Sequence, residues 1–265
     1  MGDRVPQGLP KVLIIYLKKI NFKYKLKGCD TLAQNNDAVK PPPDPHDYIY
    51  VKKYECPCCD NEFYDFTVRT SRVKFKRADT DLRRYFEPFD PLYYDALQCD
   101  HCGHTVMSGF MTHVTEAQAQ RVKDEITKRF QPKEYPIEYT PEIAIERMKL
   151  ALFTAVVKNT RVSQQANICL KMSWVYRDAG DKAHELEYAK KALDGFVKAL
   201  EKEDPPICGM SGDMVVYLVG DLYRRTGNNS EALKWLARIL SSQSVDRNLK
   251  DKALEVKLLI DEGKK

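Results

Sequence analysis

Two short stretches decide the fold of this chain: VKKYECPCCDNEFYDF at residues 51–66 and LQCDHCGHTV at residues 97–106. Each contains Cys-x-x-Cys followed by a residue that tolerates positive φ, which is Asp60 in the first and Gly103 in the second. Such a turn directs backbone N–H groups towards thiolate sulfurs and stabilises them as anions. We predict four metal ligands: Cys56, Cys59, Cys99 and Cys102.

Four thiolates favour one structural zinc ion, because a closed tetrahedral site leaves no position for a reacting water. Cys58 is the intervening residue of the first pair, and we expect its side chain to point away from the metal. A redox role for Cys58 stays open because Lys52 and Lys53 lie nearby. His101 or His104 could replace one cysteine, although two complete pairs leave no vacancy.

Composition sets wider bounds on the chain. Its 265 residues, 43% of them hydrophobic, are enough for two domains. Eight cysteines, four of them in two Cys-x-x-Cys pairs, indicate metal binding in a reducing compartment and argue against a disulfide-rich secreted scaffold. We therefore predict a cytoplasmic protein. The net charge of +5 is too small to require a polyanionic partner.

The first 47 residues form an N-terminal extension in this interpretation. The apolar run at residues 12–17 is too short to cross a bilayer. Residues 20–27 alternate apolar residues with lysines, which predicts a strand with one basic face. Residues 26–29 only weakly resemble a lipoprotein cleavage site, so lipidation is the minor alternative. KPPPDPHD at residues 40–47 predicts a stiff, extended linker without helix.

The two Cys-x-x-Cys turns predict a zinc ribbon, a small β structure held by the metal. The 39 residues between Cys59 and Cys99 are too many for one tight hairpin, so this ribbon must carry an insertion. We predict strands in FYDFTV, RVKFKR and DPLYYDALQ, with an antiparallel sheet extended by TVMSGFMTHV. The insertion interleaves basic and aromatic residues: Arg69, Arg72, Lys74, Phe75, Lys76, Arg77, Arg83, Arg84, Tyr85 and Phe86.

Two interpretations of the insertion remain open. Cations and rings on a sheet could bind phosphates and stack bases of single-stranded nucleic acid. The residues for that role would be Arg72, Lys74, Phe75, Lys76 and Arg77. We prefer a structural role, in which the cations compensate the charge of the zinc thiolates and pair with nearby carboxylates.

Four aspartates in and after the insertion offer a related choice. They are Asp79, Asp81, Asp90 and Asp95. They could hold a second cation, but carboxylates in a basic stretch are usually neutralised by it, so we predict pairing with the insertion's arginines.

The pattern becomes helical after residue 134. Thr140, Pro141 and Glu142 predict a capped helix start, and an apolar stripe follows at Ile145, Met148, Leu152 and Val156. We expect such stripes to face one another and not the ribbon, so that a fragment from about residue 140 folds alone.

A repeat indicates helical hairpins in this half. Tyr-Arg-x-x-Gly-[Asp/Asn] occurs at Tyr176 and again at Tyr223, 47 residues later, with Gly180 and Gly227 predicted to end one helix of each hairpin. The second copy resembles a tetratricopeptide repeat. A closing helix over about 248–260 would cover the end of the stack. An irregular bundle is the alternative, because fewer than three good copies are visible.

The combined motifs resemble the bacterial domain-of-unknown-function family 2225 over about residues 54–240. The motifs are Cys56-Pro57-x-Cys59, Asp79-Thr80-Asp81-Leu82, Asp90-Pro91-x-x-Tyr94-Asp95, Cys99-x-x-Cys102-Gly103 and AQAQRVKDEI. The resemblance implies a zinc-ribbon head, tetratricopeptide-like helices and a bacterial cytoplasmic setting, and it carries no activity.

The sequence thus predicts an α+β fold in three parts. They are an extension (1–47), an antiparallel zinc-ribbon β domain (48–133) and an all-α tetratricopeptide-like domain (134–265). We find no nucleotide-binding, serine-hydrolase or zinc-protease motif and predict no catalytic residues and no small-molecule substrate. The predicted function is a non-enzymatic scaffold that binds a protein partner through the helices; a nucleic-acid-binding ribbon using residues 69–86 is the alternative.

Overall fold

The computed structural model describes residues 42–263, which form an α+β fold: small antiparallel β-ladders first, then helices. This confirms the predicted fold class. The predicted basic strand at residues 20–27 and the possible lipidation site lie outside the described residues.

The β region contains three two-stranded antiparallel ladders. The strands are β1 Ile49–Glu55, β2 Glu62–Val68, β3 Lys74–Ala78, β4 Arg84–Glu87, β5 Ala96–Gln98 and β6 Thr105–Met107. β1 pairs with β2, β3 with β4, and β5 with β6. Phe63 and Phe66 of β2 are 1% and 2% exposed and, being three residues apart, lie on opposite faces of the strand. Phe63 packs with the cysteines, and Phe66 packs with Val68 and Tyr139.

Two strand predictions were too long. The stretch Pro91–Tyr94 forms a 3₁₀ turn, because Asp90 caps it by accepting a hydrogen bond from the Leu92 N–H and Pro91 occupies its first position. Thr105–Met107 is followed at once by a second 3₁₀ turn, Ser108–Phe110. The sheet is therefore not extended by residues 108–114.

The predicted linker also needs correction. Pro45–Tyr48 forms a one-turn helix, α1, instead of an extended segment. Asp44 caps it by accepting from the His46 N–H at 3.0 Å, and Pro45 lies at the first helical position, where a missing N–H costs nothing.

Seven further helices follow. They are α2 Glu116–Glu125, α3 Pro141–Val157, α4 Val162–Asp178, α5 Lys182–Lys202, α6 Gly212–Arg225, α7 Asn229–Ser241 and α8 Arg247–Glu262. Thr140 caps α3 through its hydroxyl, as predicted, and α8 covers nearly the span predicted for the closing helix. The apolar stripe of α3 is correct at Ile145 and Met148, whereas Val156 is 55% exposed.

The repeated motif ends α4 and α6 as predicted. Gly180 and Gly227 adopt positive φ of 74° and 89°, and Asp181 and Asn228 then cap α5 and α7 by accepting hydrogen bonds from backbone N–H groups. The result is two helical hairpins, α4–α5 and α6–α7.

The helical stripes do not face only one another, which corrects that expectation. Ala96 of β5 and Met107 of β6 belong to one buried cluster with Met148 and Met172. Arg147 of α3, 3% exposed, donates to the Asp65 carboxylate of β2 and to the Ala96 carbonyl. The β region and the helices therefore share a core.

Among the helices of residues 42–263, none is both long and apolar enough to span a bilayer.

Candidate metal centre

The first half-site is the turn that joins β1 to β2. Asp60 adopts a φ of 57° and its N–H donates to the Cys56 carbonyl at 2.9 Å, while the Cys56 N–H donates to the Asn61 carbonyl at 3.0 Å. A left-handed φ is one that aspartate tolerates better than most side chains. The turn thereby places Cys56 and Cys59 on the same side of the chain.

The second half-site, between β5 and β6, repeats this geometry. Gly103 adopts a φ of 75°, its N–H donates to the Cys99 carbonyl at 3.0 Å, and the Cys99 N–H donates to the His104 carbonyl at 3.0 Å. A Cβ on Gly103 would lie 2.6 Å from ring atoms of Phe130, so this position needs glycine for space as well as for conformation. The predicted alignment of the two half-sites is confirmed.

The structure brings the four predicted sulfurs together. The Sγ atoms of Cys56, Cys59, Cys99 and Cys102 all lie within 4.8 Å of one another. Cys56 and Cys102 are 3.7 Å apart, and Cys59 and Cys99 are 3.8 Å apart. Tetrahedral zinc with Zn–S bonds of about 2.3 Å requires sulfurs about 3.8 Å apart, and a disulfide requires about 2.05 Å. The four residues therefore fit a metal ion and not a pair of disulfides.

Electrostatics within the cluster favour a bound cation. Hydrogen bonds from Cys102 and Cys99 lower the pKa of the Cys56 thiol, and the same contact with Cys56 raises the pKa of the Cys102 thiol. Ionisation of Cys56 therefore opposes ionisation of Cys102, because the two sulfurs are 3.7 Å apart. A divalent ion removes that opposition, so metal binding should release thiol protons.

A buried polar chain leads from the sulfurs into the helices. His104, 2% exposed, has Nδ1 at 4.0 Å from Cys56 Sγ and Nε2 at 3.0 Å from Lys158 Nζ. Burial lowers the pKa of Lys158, while the charges of Cys58 and Cys56 act in the opposite direction. Lys158, which was not among the residues predicted for the site, therefore lies beside the thiolates. Lys158 is 54 residues from His104 along the chain, so only the tertiary fold reveals it.

Neither histidine belongs to the four-ligand set. His104 stands behind Cys56, where it can orient or stabilise the sulfur. His101 is exposed, and its Nε2 lies 3.1 Å from the Glu62 carbonyl oxygen. The four cysteines form the one group of potential metal ligands found in the described part of the chain.

Cys58 lies outside the four-sulfur set but is not isolated from it. Its Sγ is 4.0 Å from the Ala119 carbonyl oxygen of α2. The side chain packs against the buried cluster that contains Cys56, Cys99 and Cys102, so it lies closer to the metal site than was predicted.

The cations of the insertion find partners elsewhere. Lys76 pairs with Glu87 at 2.7 Å, Arg77 pairs with Asp79, and Arg72 donates to the Asp47 carbonyl at 2.8 Å. The predicted pairing with carboxylates is confirmed for Lys76, Arg77 and Arg83. The cation found near the thiolates is Lys158 and not one of the insertion's. Phe75 is 51% exposed and its ring contacts Phe86 and Arg84.

Residues 79–81, here called the acidic loop, enter the helical half. Asp81 is fully buried, with Oδ2 at 2.5 Å from Arg177 Nη2 and 3.3 Å from Arg225 Nε. The Thr80 hydroxyl donates to Asp221 at 2.8 Å, and the Tyr217 hydroxyl donates to the Thr80 carbonyl at 2.7 Å. Two consecutive residues therefore bind both helical hairpins, because Arg177 ends α4 and the other partners lie on α6.

The remaining aspartates are also paired. Arg83, 2% exposed, has Nη2 at 2.9 Å from Asp90 and 2.6 Å from Asp178 of α4. Asp95 pairs with Lys171 at 2.5 Å. The predicted pairing with the insertion's arginines is confirmed for Asp79 and Asp90 and wrong for the other two aspartates. Asp81 and Asp95 pair with cations of the helices, which no local pattern indicated.

Comparison with known proteins places the chain in a family. A model of the family described as "Uncharacterized protein conserved in bacteria (DUF2225)" matches residues 49–260, and the chain therefore belongs to that family. No curated protein and no solved structure matches the chain.

Proposed function

We propose that this member of the bacterial DUF2225 family is a non-enzymatic scaffold that works in the cytoplasm, contains one structural zinc ion and binds a protein partner through its helices. The carrying observation is the cluster of four cysteine sulfurs, with separations of 3.7 and 3.8 Å that suit a closed tetrahedron. Such a site holds two β-hairpins together and leaves no coordination position for a substrate. Free thiols in these pairs also suit a reducing compartment.

The outer face of α8 supports the protein-binding part of the proposal. A helix that closes a helical stack normally presents a polar face to water. On α8, however, Leu254, Leu258 and Leu259 are 46%, 53% and 41% exposed. Leu254 and Leu258 are four residues apart and so lie on one side of the helix. The arginines at the ends of α4 and α6 already bind the acidic loop and are therefore not available to a partner. We expect the partner on the outer face of α8 instead.

Affinity purification of the full-length chain from its own bacterium tests the partner. The double variant Leu254→Ser with Leu258→Ser should lose a partner that the wild type retains, whereas Lys252→Ser with Lys257→Ser on the same helix should keep it. Metal analysis of the same samples should find one zinc per chain in all three. Equal recovery of every co-purifying protein by both double variants would refute α8 as the binding face.

A nucleic-acid-binding ribbon remains the second candidate, and exposed Phe75 is the observation that favours it. The ring of Phe75 lies on the β3–β4 hairpin with the Arg84 guanidinium 5.2 Å from its centre, an arrangement on which a base could stack. The ion pairs of Lys76 and Arg77 weigh against nucleic-acid binding, because carboxylates already neutralise the positive charges that would bind phosphates.

A further inference from the structure

A cavity of about 440 Å³ lies between β6, the start of α2 and the turn from α3 to α4. Its volume falls in the range of small-molecule sites, about 300–1,000 Å³. Val106, Phe110, Ala155 and Ile168 supply apolar lining. The cavity is separate from the four cysteines, none of which lines it.

The charged groups around this cavity have one sign. Lys158 and Arg161 line it together with His113, and the lining of this part of the described chain contains no aspartate or glutamate. Lys158 is 7% exposed. Within residues 42–263, neither Lys158 nor Arg161 forms an ion pair with a carboxylate. Lys158 is compensated by the thiolates on the other side of His104, whereas Arg161 has no carboxylate partner in this part of the chain. An anion in the cavity would therefore pair with the Arg161 guanidinium and use the donors that Lys158 has left.

Hydrogen-bonding capacity is also left over. A lysine ammonium has three donors, and the described chain gives Lys158 Nζ one partner, His104 Nε2 at 3.0 Å. Thr160 lines the cavity, and its buried Oγ1 has no hydrogen-bond partner among residues 42–263. Buried hydroxyls of this kind normally have a partner, and a ligand or an ordered water at the cavity would supply one.

We propose that this cavity binds a small organic anion, with a carboxylate or phosphate group at Lys158, Arg161 and Thr160 and an apolar body against Val106, Phe110 and Ile168. Guanidinium and ammonium groups suit both head groups, and the apolar lining selects against a bare inorganic ion. This site is independent of the proposed protein partner and of α8.

Isothermal titration of the metal-loaded full-length chain tests the proposal. The probes are octanoate and phenyl phosphate, each compared with an uncharged counterpart, octanamide or benzyl alcohol, and with inorganic phosphate. At least one organic anion should bind once per chain with a Kd below about 1 mM, a modest affinity by the standard of small-ligand sites. Its uncharged counterpart and inorganic phosphate should each bind at least about tenfold more weakly, as expected when one charge-assisted contact or the apolar contact is lost. The head group that binds identifies the ligand class.

Variants connect the binding to this cavity. Arg161→Gln, at an exposed position that should not affect folding, and Lys158→Met should each weaken the anion at least about tenfold. Arg121→Gln on α2 removes an exposed cation that does not line the cavity and should leave the affinity unchanged. Metal analysis must show that Lys158→Met retains its metal; if it does not, Arg161→Gln decides. Equal affinity for the uncharged probes, unchanged binding by Arg161→Gln, or no organic anion binding below about 10 mM would overturn the proposal.

Discussion

The β region is held at two places by different physical means. At the metal centre, the four sulfurs come from two turns in which the paired cysteines are only three positions apart. At the acidic loop, the partners are distant: Asp81 meets Arg177 from 96 residues away, and Thr80 meets Asp221 from 141 residues away. The first arrangement can be recognised from the spacing of the cysteines in the sequence, whereas the second forms only after both halves of the chain have folded.

The largest effect is expected from breaking the metal centre. Cys102→Ser should release the metal and unfold the β1–β2 and β5–β6 hairpins, because metal binding in small zinc sites supplies about 10–16 kcal/mol of folding free energy. Metal analysis and circular dichroism measure both losses. Cys58→Ser is the matched control and should keep the metal, although Cys58 packs against the cluster that contains Cys102. Equal metal loss in both variants would contradict the assignment of the four ligands.

Removing the β region altogether tests how far the helices depend on it. A fragment from residue 140 loses Ala96 and Met107 from the shared core and leaves Arg177 and Arg225 without Asp81. We expect its thermal midpoint to fall by about 10 °C or more relative to the metal-loaded chain. Calorimetry of both proteins gives the comparison. A fragment that melts cooperatively at the midpoint of the full chain would show that these contacts add no stability.

A single substitution at the acidic loop should have a smaller but clear effect. Asp81→Asn removes the buried charge that Arg177 and Arg225 share, which should cost about 1.5–3 kcal/mol of unfolding free energy, because both arginines keep other carboxylate partners. Urea denaturation monitored by tryptophan fluorescence provides the value. Lys76→Gln breaks the exposed pair with Glu87 and should cost at most about 1 kcal/mol. If both variants lose the same unfolding free energy, burial of the acidic loop does not strengthen its ion pairs.

The smallest effect is expected on the exposed β3–β4 hairpin. Lys74→Glu with Lys76→Glu should change the unfolding free energy by about 1 kcal/mol or less, because both side chains face solvent. Gel shifts with mixed single-stranded RNA and DNA should show no binding tighter than about 10 µM for the wild type at near-physiological salt. Sub-micromolar binding that this variant loses while keeping its metal would show that the β3–β4 hairpin is a nucleic-acid-binding site.

Sequence was sufficient where a feature depends on neighbouring residues. The Cys-x-x-Cys turns, the helix start at Thr140 and the ends of α4 and α6 at Gly180 and Gly227 were all predicted, because each requires a particular residue at one backbone position. The 3₁₀ turn at Pro91–Tyr94 was missed, although Asp90 followed by Pro91 is a capping signal.

Features that depend on the packing of distant segments could not be predicted. An exposed and a buried lysine have the same local signal, so Lys158 beside His104 was not identified. The arginines of the repeated motif similarly resembled solvated residues at helix ends, yet Arg177 binds Asp81 in the interior. Their partners lie on the other side of the shared core, and one sequence alone does not show which residues of its two halves will come into contact.

The acidic loop also limits how this architecture can grow. Helical arrays usually lengthen by duplication of a hairpin, and neighbouring helices are spaced about 8–10 Å apart. One hairpin inserted between α5 and α6 would therefore separate Arg177 from Asp221 by roughly a further 20 Å. Thr80 and Asp81 are adjacent, and a three-residue segment reaches only about 10 Å when fully extended. The acidic loop thus fixes the spacing of α4 and α6, and we expect repeats to be added beyond α8 and not between α5 and α6.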